Sequence, residues 1–161
     1  MEQRSTLDVY RTWASKSTDH RYLRPKRWNE IEKVIERFYV RNVLEFGAGI
    51  STLLFDNLGI KVWSYETDPE YLEFVKSFPT SNVDYFLWDN KTIPFTLGLF
   101  DMALVDGCLP RLPQLKVALD HAKIIAVDDF AGSLKNSLGP YLSKSRRLDS
   151  RDTIMAIFKI I

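Results

Sequence analysis

A single cysteine, Cys108, stands in a chain of 161 residues. No intrachain disulfide can form and no cysteine-based zinc cluster exists, which fits a reducing compartment. Histidine is nearly as scarce, with two in the chain. His20 and His121 lie far apart, and neither has a partner at metal-ligand spacing. No apolar run approaches the ~20 residues that span a bilayer. The polar start, Met1 to Tyr10, lacks the apolar core of a secretory signal. A cytoplasmic protein is expected, with a phage or viral source fitting equally well. Charge of one sign is not in excess either: 22 basic residues face 21 acidic ones. Composition therefore argues neither for nor against a polyanionic partner. There is no Gly-Lys-Ser/Thr phosphate loop, no repeat and no low-complexity linker.

What is present is an ordinary globular composition, 45% hydrophobic and 27% charged. One domain of this length can bury roughly 70% of its unfolded surface. Residues 1–28 carry seven basic against three acidic side chains. They are expected to form an N-terminal basic arm, solvated as such termini are, or a lid carrying Tyr22, Arg24 and Trp28. Residues 29–161 are expected to form the main domain.

Within that domain helices and strands alternate. Ile31, Val34, Ile35 and Phe38 recur at helical spacing, with Asn29 as the expected N-cap. The run Val43-Leu44-Glu45-Phe46 reads as a buried strand entering the turn Gly47-Ala48-Gly49. Ser51 to Leu58 reads as a helix stopped by Gly59. Lys61 to Glu66 is the second strand. Asp68-Pro69 then starts a helix whose face is Tyr71, Phe74, Val75 and Phe78. Val83 to Leu87, Phe100 to Val105 and Lys123 to Val127 are further strands. The stripe Leu115, Ala118, Leu119, Ala122 lies before the last of these. The runs 144–148 and 153–161 are joined by too short a link for a crossover, so they should pair as an antiparallel hairpin. The expected fold is α/β: a three-layer sandwich around a mostly parallel, doubly wound sheet of about seven strands, ending in that hairpin.

In open α/β sheets ligands bind at the carboxyl ends of the strands. Here those ends are polar. Glycines let the first turn approach a ligand closely, and the following helix aims free N–H groups at it. Glu66, ending the second strand, can accept hydrogen bonds from both hydroxyls of a ribose. A dinucleotide fingerprint would carry a third glycine where Thr52 stands, so NAD and FAD are disfavoured.

The segment Val43 to Thr52 resembles motif I of the class I S-adenosylmethionine-dependent methyltransferases. Tyr65-Glu66-Thr67-Asp68 resembles the family's second motif, Phe100 to Gly107 its fourth-strand motif, and Ile124 to Phe130 its fifth. The resemblance covers about residues 29–161, and the terminal hairpin is also a family habit. It implies that Gly47 and Gly49 line the methionine moiety, that Glu45 or Ser51 holds its amino or carboxylate end, that Glu66 binds the ribose, and that Trp88 and Asp89 meet the adenine.

Methyl transfer from a sulfonium is an in-line displacement, served chiefly by alignment. A hydroxyl acceptor must also lose a proton, so a base or a metal helps. Asp106 and the pair Asp128-Asp129 end neighbouring strands. Three carboxylates there suit Mg2+ or another hard divalent cation; without one, Asp106 or Asp129 would act as base. The arrangement is similar to small metal-dependent O-methyltransferases of the catechol type, except that the family's lysine three residues after the first aspartate is Leu109 here. No Asn-Pro-Pro-Tyr-type motif follows the fourth strand, and Cys108 lacks a Pro-Cys context, so methylation of DNA bases is disfavoured. Arg111 is either an anion contact or a surface residue. The expected acceptor is the oxygen of a small molecule or glycan, with a homodimer compatible. The alternatives are RNA or protein methylation, suggested by the basic arm and Arg146-Arg147, aminopropyl transfer, and a non-catalytic binding module of the same fold.

Overall fold

Local chemistry sets the element boundaries. The Asp68 carboxylate accepts hydrogen bonds from the Glu70 and Tyr71 amides and so caps a helix that Pro69 opens. Gly59, at φ 73°, turns the chain out of a helix into the second strand. The computed structural model describes residues 4–17, 23–91, 98–107, 110–143, 145–148 and 155–160. Its elements are α1 (Thr6–Lys16), α2 (Pro25–Phe38), β1 (Asn42–Phe46), α3 (Ile50–Asn57), β2 (Lys61–Glu66), α4 (Pro69–Lys76), β3 (Val83–Leu87), β4 (Phe100–Val105), α5 (Leu112–His121), β5 (Ala122–Val127), α6 (Gly132–Leu142), β6 (Arg146–Arg147) and β7 (Ala156–Lys159).

The seven strands form one sheet in the order β3-β2-β1-β4-β5-β7-β6. All pairs through β5 are parallel, and β7 runs antiparallel to both β5 and β6. This is the expected mostly parallel sheet with a terminal hairpin, whose link at 149–154 lies outside the described residues. Strand side chains alternate between two cores. Val43, Val62, Met102, Leu104, Ile124 and Ile157 pack under α1, α2, α3 and α4. Leu44, Phe46, Ala103, Val105, Ile125 and Val127 pack against α5 and α6. Both faces are covered, which gives three layers. No helix among the described residues is long and apolar enough to cross a membrane.

Three expectations need correction. The second helix begins at Pro25 behind Arg24, not at Asn29, so a proline at the first helical position marks the true start. Residues 6–16, expected as a solvated arm, form α1, whose Trp13 is fully buried against Phe74 and Phe78. Trp28 is equally buried and meets Phe55 edge to face, so it is a core residue rather than part of a lid. The helix α2 runs from Pro25 to Phe38, across the boundary expected after residue 28. The sixth helix, α6, was not anticipated from the sequence; it carries Gly139 and Pro140 near its end.

Candidate functional site

The parallel register lines up the strand ends. Phe46 pairs with Tyr65 on one side and Val105 on the other, and Val105 pairs with Val127. The residues one step further on are therefore neighbours: Glu66, Gly47, Asp106 and Asp128, in that order. Leu87 flanks Glu66 on the far side. Backbone bonds continue the ladder past the strands, from Gly47 N–H to Tyr65 O at 2.8 Å, Asp106 N–H to Phe46 O at 2.9 Å and Asp128 N–H to Val105 O at 3.1 Å. Adjacent members of this row are about 5 Å apart, the ordinary strand spacing. Strand order reverses between β1 and β4, so the row crosses the switch point where such sheets bind ligands.

The two glycines of the turn do different work. Gly47 has φ 97°, and a Cβ there would lie 2.7 Å from the Gly107 nitrogen. It is needed so that the turn can pass the end of β4. Gly49 is extended, and a Cβ there would meet only the Tyr71 hydroxyl, at 3.8 Å. The open space the sequence promised lies beside Gly49.

Glu66 is 5% exposed, and its Oε1 accepts from the Thr67 amide at 2.6 Å and the Asp68 amide at 3.0 Å. The chain thus fixes one carboxylate oxygen, and Oε2 has no hydrogen-bond partner among the described residues.

Glu45 is placed otherwise than the motif suggested. It is fully buried on the face of β1 that looks toward α3. Ser51 and Ser64 donate to its two oxygens at 2.6 Å each, and Thr52 donates at 2.5 Å. Thr52 Oγ accepts in turn from the Gly49 amide, at 2.9 Å. Glu45 and Ser51 therefore face each other, not an open cleft, and tie the glycine turn to β2. Burial pushes the Glu45 carboxyl up to about 7, against the opposing pull of the three hydroxyls. Thr52 and Ser64 were not singled out from the sequence. The signal was available for Ser64, which stands two residues before Glu66 and directly opposite Glu45 in the register.

Trp88 also differs from expectation. It is 5% exposed and packs on Phe46 and Tyr65, so its ring is built into the core beneath the row. Asp89 is exposed, and its Oδ1 accepts from the Lys91 amide in a tight turn. His121 closes α5 away from the row. Cys108, Leu109, His20 and Tyr22 lie outside the described residues, as do the loop residues 92–97.

Asp106, Asp128 and Asp129 do lie together, but with arginines. Arg27 of α2 reaches Asp128 Oδ2 at 2.6 Å and Asp129 Oδ1 at 3.0 Å. Arg111 lies 3.3 Å from Asp106 Oδ1, donates through Nε to the Gly107 carbonyl at 3.0 Å, and also donates to the Asp128 carbonyl. Asp129 takes a left-handed backbone, φ 52°, that separates its half-exposed side chain from buried Asp128. Asp106 is pushed well above the usual carboxylate range by burial and then by the Asp128 charge, with Arg111 opposing. Burial raises Asp128 as well, against Arg27. The expected divalent cation does not fit this donor set. One oxygen of each of the three carboxylates already meets an arginine, and among the described residues no three His, Cys, Asp or Glu side chains form a metal-holding group. Arg27 was missed because its partners lie about a hundred residues away.

A cavity of about 360 Å³ opens elsewhere, between α1, α3 and residues 78–82, on the amino side of β2 and β3. It shares no residue with the row.

No family model matches the sequence, and no curated protein matches it. Solved structures do match the fold. One is a candidate caffeoyl-CoA O-methyltransferase from Staphylococcus aureus, with TM-score 0.72, 15% identity, and 98% of this chain and 94% of that one covered. A candidate O-methyltransferase from Klebsiella pneumoniae gives 0.66 at 12% identity, covering 99% and 91%. A candidate RNA methyltransferase from Pyrococcus horikoshii gives 0.65 at 11% identity, covering 97% and 96%. Likeness at such identities establishes the shared architecture; activity has to be argued from the site.

Proposed function

We propose that this chain is a class I S-adenosylmethionine-dependent methyltransferase that methylates an oxygen of a small molecule or glycan. The observation that carries the reading is the row of strand ends, in which Glu66, with one oxygen unpartnered among the described residues, adjoins a glycine turn that is open at Gly49 and continues to Asp106. Glu66 is suited to a ribose, because a carboxylate fixed through Oε1 presents a pre-set acceptor. The amides at the start of α3 and the open side of Gly49 suit the amino-acid end of such a ligand. Bound S-adenosylmethionine would supply the methyl group as an electrophilic sulfonium. Asp89 remains the candidate for an adenine contact, whereas Trp88 would shape the floor from below.

The chain's own part in the reaction is alignment and proton removal. Asp106 adjoins Gly47 in the row, and burial raises its proton affinity above the ordinary carboxylate range, the direction a general base needs. Asp129, half exposed beside it, is the second candidate. Gly47 and the Glu45 cage keep the turn in place, so that the acceptor meets a pre-organised site.

The likeness to a candidate RNA methyltransferase, together with exposed Arg4, Arg11, Lys16, Arg24 and Lys26, favours RNA as a second acceptor class. RNA binding that weakens steeply with salt would support it, since phosphate contacts release counterions.

Calorimetric titration with S-adenosylmethionine and S-adenosylhomocysteine tests the main reading. Both should bind, and Glu66→Ala should weaken them at least tenfold, because bonds to a charged acceptor contribute about 1.5–3 kcal/mol each. Absence of binding by the pure protein would leave a non-catalytic module of the same fold.

A further inference from the structure

We infer that Arg27 and Arg111 occupy the place of a divalent cation at the carboxylate cluster, so that this site is held together without metal. The inference concerns the cluster alone and stands whether or not the nucleoside reading is right.

Three carboxylates brought to the carboxyl end of two neighbouring strands repel one another and need positive charge among them. A divalent ion meets that need by taking carboxylate oxygens at about 2.0–2.6 Å. Here the same need is met by two guanidiniums. Asp128 Oδ2 and Asp129 Oδ1 share Arg27 Nη1 at 2.6 and 3.0 Å, and Asp106 Oδ1 faces Arg111 Nη2 at 3.3 Å. The carbonyls of Gly107 and Asp128, which could complete a coordination shell, also accept from Arg111. A guanidinium spreads one charge over five donors in a plane, so each arginine can serve several acceptors that an ion would otherwise gather.

Both arginines are fixed where they stand. The Arg27 side chain is 17% exposed and that of Arg111 10%. Arg27 precedes fully buried Trp28 on α2, and Arg111 directly precedes α5. Neither is a surface chain that a metal could push aside at little cost. A divalent ion entering among them would meet two like charges at contact range in a half-buried setting, where screening is weak. The Asp128 Oδ1 atom, buried and without a partner, does not reopen the case, because it is sealed from solvent.

A direct test uses the full chain with Mg2+, Mn2+ and Ca2+ as separate probes, read by calorimetry and by the thermal unfolding midpoint with and without chelator. The wild type should show no saturable heat and no change in midpoint. Arg27→Met removes the charge that spans Asp128 and Asp129. That variant should gain a cation-dependent rise of about 3 °C or more, since binding to the folded state alone stabilises it. Saturable binding of any of the three ions by the wild type, lost in Asp128→Asn, overturns the inference. So does an Arg27→Met protein that folds and ignores all three ions, for then the guanidinium is not what excludes them. Should Arg27→Met fail to fold, the wild-type titration decides alone.

Discussion

Replacing Glu45 by glutamine should change how stability depends on pH, and by an amount the site itself sets. The carboxyl is fully buried, and its affinity for a proton is raised from the ordinary 4.5 to about 7. A folded-state value above the unfolded one means that the protonated form is favoured by folding. The stabilisation is fully present below pH 4.5 and is lost as pH rises toward about 7. At about 1.4 kcal/mol per unit, the swing over that window is roughly 3 kcal/mol. Glutamine does not titrate, and its amide can donate to hydroxyls that rotate to accept. The Glu45→Gln protein should therefore gain on the wild type by roughly 3 kcal/mol between mildly acidic and mildly alkaline pH, or roughly 10 °C in midpoint for a domain of this size. Burial raises Asp106 and Asp128 too, with the same sign; both proteins keep most of that slope, the Glu45 charge being the smallest named cause at Asp106, so their difference is diagnostic. Urea unfolding of the pair across this range reads it. A difference that stays constant with pH would refute the reasoning and show that the three hydroxyls hold Glu45 ionised despite its burial.

Two other perturbations separate structural from ligand-facing residues. Trp13→Ala should cost about 3–5 kcal/mol in chemical denaturation, because the indole is fully buried between α1 and α4; a loss below about 1 kcal/mol would return residues 6–16 to the status of a loose arm. Gly47→Ala should destabilise by more than about 2 kcal/mol, since it combines a positive φ with a clash against the β4 end. Gly49→Ala should leave the midpoint nearly unchanged but weaken nucleoside binding about tenfold, as its Cβ enters space only a ligand would need; equal effects of the two on stability would contradict the division of labour.

Much of the architecture could be read from local pattern. Short apolar runs such as Val43 to Phe46, closed by glycine or acid and mostly followed by a helical stripe, dictate alternating elements and hence a parallel sheet. The two helices that escaped notice have physical reasons for doing so. In α1 only Val9, Tyr10 and Trp13 face inward from a largely polar segment, and α6 carries Gly139 and Pro140 in its last turn. The site was legible as far as strand ends go, because register places Glu66, Gly47, Asp106 and Asp128 in one row. What could not be read was direction and long-range pairing. Glu45 shares the parity of Val43, which turns it toward α3 rather than toward the cleft, but whether hydroxyls waited there depended on β2. The partner of Asp128 and Asp129 comes from α2, and no local pattern ties Arg27 to β5.

The claim on which the functional account depends is that Glu66 and the turn at Gly49 hold the two ends of one sulfonium nucleoside. A crystal structure grown with S-adenosylhomocysteine tests it most directly. The account expects both ribose hydroxyls within hydrogen-bond reach of the Glu66 carboxylate and the amino-acid end against Gly49. A ligand bound away from the row, or a row left empty at saturating ligand, would contradict it.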